Sequence, residues 1–367
     1  MAGRPATFRS RMRMLAMPSL LSAPAILLTL PIFVPLAMPA AETHDGGLQD
    51  GNLRFIGRWD HADPGVAHSY WSTAYLRTSF TGTTLRVRLA GWVELEAFID
   101  GQAVKPVPFP GGVDLAPLPL AAGAHTLVLA TAGQNHEMLF QGLELAPGAS
   151  TAASPERPLL EFVGDSITAN GGRVAAAKDS AGGPATSNYS WLAAEALGCD
   201  HVQVAFSGVA LATGSGFFGD RTGFDTWYFK LKNCNHATDN APWTFAYAPR
   251  LVVVNLGTND VKGGKRPSDD EFAATYAAFL RAIRARLPHS TLVGVRPFGG
   301  FQGGGVAKAV AALTAAGDPA VRFVDTSGWL AAEDYSDGIH PTVPGHAKAA
   351  ARLTAALRAV LAEPAAP

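Results

Sequence analysis

The change of hydrophobic period across residues 147–158 constrains the fold of this 367-residue chain more than any other feature. Upstream, apolar residues recur at every second position, which is the period of a half-buried strand. Leu85, Val87 and Leu89 alternate with Arg86 and Arg88, and segment 93–99 ends at Asp100-Gly101, a good hairpin turn. Segments 125–130 and 138–145 repeat the strand character, and no convincing helix appears between them and Leu53. Residues 50–147 therefore read as an antiparallel β-sandwich of the usual size for such modules. Trp59, Tyr70, Trp71, Tyr75 and Trp92 would serve either as its core or as a sugar-stacking platform, and aromatic residues in sandwiches are more often core.

Residues 148–158 hold Ala, Ser, Thr and Pro without periodicity and read as a linker. Beyond them, residues 159–363 alternate strand with helix, the pattern of an α/β unit whose parallel sheet is covered on both faces. Strands are expected at 159–163, 201–205, 251–256, 291–295 and 321–324, and helices at 189–197, 268–287, 306–316 and 345–361. The helix at 268–287 has the clearest signal. Ser268 and Glu271 form a capping box, and Phe272, Tyr276, Phe279, Leu280, Ile283 and Leu287 make one apolar stripe.

Residues 1–41 do not fit either pattern. Arg4, Arg9, Arg11 and Arg13 precede an apolar stretch that ends in small residues before Glu42, which reads as a cleaved export signal. Its length would also suit a membrane anchor, but five prolines between Pro18 and Pro39 oppose a regular spanning helix. The expected location is periplasmic or secreted, with no stable membrane association after cleavage. A net charge of −1 with no basic block gives no reason to expect nucleic acid as a partner. The two cysteines, Cys199 and Cys234, can form one disulfide in an oxidising compartment, and their spacing leaves the pairing open. No Cys/His spacing resembles a zinc site, so no metal is expected.

Three polar signatures follow the ends of expected strands. Gly164-Asp165-Ser166 follows the first, Gly257-Thr258-Asn259-Asp260 the third, and Asp337-Gly-Ile-His340 lies after the last strand and before the last helix. Open α/β sheets bind ligands at that edge. A serine hydroxyl is too weak an acid to attack an ester unless an imidazole takes its proton, and the imidazole needs a partner to fix its tautomer. Ser166 is thus the candidate nucleophile, His340 its base and Asp337 the orienting carboxylate. Oxyanion donors are expected from the Ser166 N–H, the Gly208 N–H and the Asn259 amide. Taken singly each motif is a common turn or helix cap; in this order they describe one active site. His346 is a fallback base whose expected place is packing or the surface, and His201 and His236 are expected to be structural.

On these blocks the chain resembles the SGNH (GDSL-type) hydrolases. More narrowly, it is similar to the two-domain esterases of carbohydrate esterase family 2, through residues 54–59, 70–77 and 140–143 as well. The resemblance implies a three-layer α/β/α SGNH-hydrolase domain preceded by a jelly-roll sandwich, and a carboxylic ester hydrolase that uses no metal or organic cofactor. The implied substrate is acetylated polysaccharide such as xylan or glucomannan. In some family members a backbone carbonyl replaces the aspartate, whereas here Asp337 stands at the usual superfamily position. The alternatives are an esterase for lipid or small aliphatic esters, and a carbohydrate-binding protein with an inert hydrolase domain. One irregular segment, 214–249, departs from the pattern and carries Phe217, Phe218, Trp227, Tyr228, Trp243 and Tyr247. It would wall the cleft with Trp227 or Trp243 facing a sugar, or else pack on itself.

Overall fold

The computed structural model describes residues 44–169, 184–216, 219 and 221–363. The export signal expected at 1–41, and Phe217 and Phe218, lie outside the described residues.

Upstream of the period change, two antiparallel sheets face one another. One runs in the order Arg54–Ile56, Tyr75–Thr81, Ala124–Thr131, Leu95–Ile99, Gln102–Val104. The other runs Trp59–Asp60, Ala67–Ser69, Leu139–Leu145, Leu85–Leu89, Gly112–Asp114, Val107–Phe109. Alternation decides which side chains fill the space between them: Leu85, Val87 and Leu89 are buried while Arg86 and Arg88 face solvent. Trp59 is buried in the sandwich core, Tyr70, Trp71 and Tyr75 are buried in a cluster with Val163, Trp191 and Phe224 of the other region, and Trp92 is 72% exposed. The stretch read as a linker is partly structured, because Thr151–Ala152 pairs antiparallel with Tyr75–Thr81 as a further strand of the first sheet. Two residues gave no periodicity to read.

Downstream, five parallel strands lie in the order Asp200–Ala205, Leu159–Gly164, Leu251–Asn255, Thr291–Val295, Val321–Val324. Side chains alternate between two helical layers. Leu160, Phe162, Leu251 and Val253 meet helices Tyr189–Ala196 and Val343–Ala362, while Val163, Val252 and Val254 meet Asp269–Arg286 and Gly303–Ala315. The fold is a three-layer α/β/α unit preceded by a sandwich. Connections leave strand Leu159–Gly164 toward one neighbour and later return to the other, which opens a crevice at the carboxyl ends of that strand and Leu251–Asn255.

Helix Gly303–Ala315 begins three residues before the expected 306. A run of glycine argues against helix, but here it permits close packing: a Cβ on Gly305 would lie 2.9 Å from the Phe272 ring and 3.0 Å from the Asp269 carbonyl.

The two regions are joined by buried polar side chains. The Arg77 guanidinium reaches Asp200 with Nε at 2.8 Å and Nη2 at 2.6 Å, and the Tyr75 hydroxyl donates to Asp200 and accepts the His201 N–H, both at 3.1 Å. Strand Asp200–Ala205, at the sheet's edge, is buried at all six residues. Arg58, also fully buried, donates from Nη1 to the carbonyls of Tyr228 and Lys230 and from Nε to the Tyr247 hydroxyl. Those two tyrosines donate to the carboxylate of Glu161, in the middle of strand Leu159–Gly164. Burial alone would lower the Arg58 pKa, but Tyr247 and Glu161 nearby hold it above the usual arginine value.

Candidate active site

Strand Leu159–Gly164 delivers Ser166 to the crevice, where it begins the short helix Ser166–Ala169. Asp165 braces that turn: its carbonyl accepts the N–H groups of Thr168 and Ala169, and its Oδ1 accepts the Ile167 N–H at 3.0 Å. Burial pushes the Asp165 carboxyl up to about 6, against the Ile167 N–H and Thr258 hydroxyl, which favour the charged form.

His340 arrives from the loop before helix Val343–Ala362, 174 positions along the chain, and its Nε2 lies 2.7 Å from Ser166 Oγ. Its Nδ1 lies 2.7 Å from Asp337 Oδ2. Asp337 Oδ1 accepts the N–H groups of Ile339 at 3.0 Å and His340 at 2.8 Å. Burial raises the Asp337 carboxyl, but these N–H groups and the imidazole outweigh it and hold the pKa below the usual aspartate range. Ser166 and His340 are 7% and 8% exposed, so the pair sits at the floor of a cleft open at one side. The carboxylate fixes the Nδ1–H tautomer and leaves Nε2 free to accept the hydroxyl proton.

Gly208 and Asn259 line the same cavity of about 240 Å³. Gly208 has φ +76°, a left-handed conformation that favours glycine. The loops that carry the two are tied together. The Asn259 amide donates to the Val209 carbonyl at 3.1 Å, and the buried Asp260 carboxylate accepts the N–H groups of Leu211 and Ala212. One hydrogen of the Asn259 amide is thereby anchored, leaving the other to serve a ligand. Burial raises the Asp260 carboxyl, partly offset by those two N–H groups.

Four participants had little or no signal in the sequence. Asp260 sits inside the block that pointed to Asn259, yet nothing there distinguishes its tie to Leu211. Gln134, in the sandwich loop between Ala124–Thr131 and Leu139–Leu145, accepts the Ser207 N–H at 2.7 Å through Oε1, one residue from Gly208. Arg221 and Arg266 also line the cleft.

The remaining candidates fall elsewhere. Trp227 lines an adjoining cavity, its indole N–H donating to the Thr222 carbonyl at 3.1 Å. Trp243 lines neither cavity. It packs on Tyr247, with the Arg58 guanidinium 5.5 Å from its ring centre, so its place is the joint beneath the sandwich rather than a sugar site. That buried cation attracts the indole face. His346 is fully buried, stacks on Tyr189, and accepts its N–H at Nδ1 over 3.2 Å, which removes it as an alternative base. His201 is buried between Trp191 and Tyr75, and His236 bonds Glu137 of the sandwich at 2.7 Å. Cys199 and Cys234 are free thiols. Among the described residues no group of three His, Cys, Asp or Glu is placed to hold a metal ion.

Residues 162–348 match the GDSL-like Lipase/Acylhydrolase family, and the chain belongs to it. Residues 55–155 match the carbohydrate esterase 2 N-terminal domain, so within that family the chain has the two-domain architecture of the family 2 carbohydrate esterases. Cellulase/esterase CelE of Acetivibrio thermocellus is 28% identical over 324 residues, covering 83% of this chain and 39% of that protein. The chain thus spans well under half the length of that curated relative. The structure of a family two carbohydrate esterase from Clostridium thermocellum in complex with cellohexaose is 25% identical with a TM-score of 0.71, over 84% of this chain and 99% of that one. An acetyl xylan esterase from the rumen bacterium Butyrivibrio proteoclasticus shares the fold, at 20% identity and a TM-score of 0.69, over 84% of this chain and 95% of that one.

Proposed function

We propose that the chain is a serine carboxylic ester hydrolase that removes O-acetyl groups from plant cell-wall polysaccharides such as xylan and glucomannan. The observation that carries this reading is the unbroken relay Ser166 Oγ, His340 Nε2, His340 Nδ1, Asp337 Oδ2, with 2.7 Å at each contact. Ser166 attacks the acetyl carbonyl as His340 takes its proton. The sugar hydroxyl leaves with that proton, and water then clears the acetyl-enzyme with the same imidazole as base. The tetrahedral oxyanion is received by the N–H groups of Ser166 and Gly208 and by the Asn259 amide, each such donor worth about a hundred- to a thousandfold in rate.

The cellohexaose bound by the Clostridium thermocellum family two esterase supports a sugar ester as substrate. The cleft supports a short acyl group over a long one, because Ile339 is the single aliphatic side chain among its described lining residues. We read residues 1–41 as an export signal, 50–147 as the sandwich, 148–158 as the junction and 159–363 as the hydrolase, with the protein periplasmic or secreted. Among the described residues no helix is long and apolar enough to cross a membrane.

Acetate release from acetylated xylan and glucomannan tests the proposal. The wild-type protein should release acetate and be labelled at Ser166 by a fluorophosphonate, while Ser166→Ala should fall by at least about a thousandfold. Labelling without turnover on any ester would favour a binding protein with an inert hydrolase domain. A rate that rises with acyl length across nitrophenyl esters would favour a lipid esterase.

A further inference from the structure

The described lining of the cleft carries more cationic than acidic side chains. It includes two guanidinium groups, Arg221 and Arg266, against one carboxylate, Asp337, whose oxygens are already engaged by the His340 ring and two backbone N–H groups. Arg266 is held in place: Nη1 donates to the Thr258 carbonyl at 2.9 Å, and the guanidinium lies 4.1 Å from the centre of the Phe301 ring. Among the described residues neither arginine has a carboxylate within ion-pair distance, but the buried Asp260 carboxylate is near enough to Arg266 to offset part of its charge, which leaves Arg221 as the less compensated of the two. The charge of the whole chain is −1, so this excess is local to the cleft and not a general property of the surface.

A second cavity of about 360 Å³ adjoins the first and shares Ser207, Gly208 and Arg221 with it. Its described lining adds the polar Ser215, Thr222 and Asn235 beside the apolar Phe206, Val209 and Trp227, and no acidic side chain. An aromatic ring with hydroxyl and amide groups around it suits a pyranose ring. Arg221, which lines both cavities, is the one cationic side chain among the second cavity's described lining residues.

We infer that the preferred substrate is an acetylated acidic oligosaccharide, with a uronic acid next to the acetylated sugar. The acetylated sugar occupies the catalytic cavity, and the uronate occupies the adjoining one with its carboxylate on Arg221 and its ring toward Trp227. Arg266, on the catalytic cavity, contributes less, because Asp260 offsets part of its charge. Planar guanidinium groups match carboxylates bidentately. This inference rests on the esterase reading above and adds the charge of the substrate to it.

The test uses the full chain and two acetylated xylo-oligosaccharides identical except for one glucuronic acid branch, with kcat/KM measured from acetate release. At low salt the acidic member should be preferred by about five- to tenfold. The preference should shrink below about twofold near 0.5 M salt, because a partly exposed pair is screened. Arg221→Gln should bring the acidic-to-neutral ratio close to one, and Arg221→Lys should retain part of it. Each ratio is taken within one protein preparation, so a loss of folded protein cancels. A wild-type ratio near one at low salt, or an unchanged ratio in Arg221→Gln, overturns the inference and leaves the esterase reading intact. If neither oligosaccharide releases acetate while nitrophenyl acetate is hydrolysed, the carbohydrate substrate falls and the inference with it. If Ser166 is not labelled and no ester is cleaved, the esterase reading itself falls.

Discussion

In the parallel-sheet region the polar side chains of the site follow strand ends within three short blocks, at 164–166, 257–260 and 337–340. In the sandwich they stand elsewhere: Tyr75 and Arg77 lie within a strand, Arg58 between two strands and Gln134 in a connecting loop, and all four reach across to the other region. The first arrangement builds chemistry where the sheet opens. The second spends buried polar groups on a joint, and one of its contacts, Gln134 to Ser207, lies a single residue from an oxyanion donor. The sandwich is therefore part of how the site is held and not only a neighbour of it.

The contrast can be broken first at the relay. Asp337→Ala should lower kcat by about a thousandfold with the fold intact. A loss of only a few-fold would move the orienting role to a backbone carbonyl. At the joint, Arg58→Ala should cost about 3 kcal/mol in denaturant unfolding, since it leaves Glu161 and two carbonyls buried without their cation. An effect under about 1 kcal/mol would show that the joint carries little stability.

His201 gives a pH test of the same joint. Burial holds its imidazole down to about 3, whereas the unfolded chain takes a proton near 6.5. Its contribution is therefore complete above about 6.5 and is lost as pH falls toward 3. Between pH 7 and 4.5 the wild type should lose on the order of 2 kcal/mol more than His201→Phe. Equal losses would mean that the imidazole is hydrated in the folded state.

Gln134→Ala should lower kcat about tenfold on nitrophenyl acetate with KM within about twofold. Gln134→Glu, which keeps an acceptor for the Ser207 N–H, should recover most of it. A change confined to KM would assign Gln134 to substrate binding. Trp92→Ala, at an exposed position on the sandwich, should change stability by less than about 0.5 kcal/mol and leave turnover alone.

Sequence reasoning reached the parallel sheet because its strands are continuous apolar runs and its helices carry one apolar stripe. It singled out Ser166, His340 and Asp337 as candidates because the chemistry demands those residue types at strand ends, and the structure places the three in hydrogen-bond contact. It missed the start of the helix at Gly303, where glycines signal a break unless the neighbouring helix is known to approach closely. The short strand Thr151–Ala152 gave no period to detect. Trp243 could not be told from a sugar platform, since an aromatic ring in an irregular segment looks alike whether it faces a ligand or a buried arginine 185 positions earlier. Gln134 carries no local signal, because its meaning lies in an N–H 73 positions away.

Strand Asp200–Ala205 has one side with no strand beside it, and Tyr75 and Arg77 stand over its first residues. Stripped of the sandwich, that side would present bare amide and carbonyl groups to any passing chain, an invitation to intermolecular strand pairing. Expression of residues 159–363 alone should thus yield self-associating material whose solubility improves with a charge placed on the outer edge, so that the sandwich also acts as a guard against aggregation.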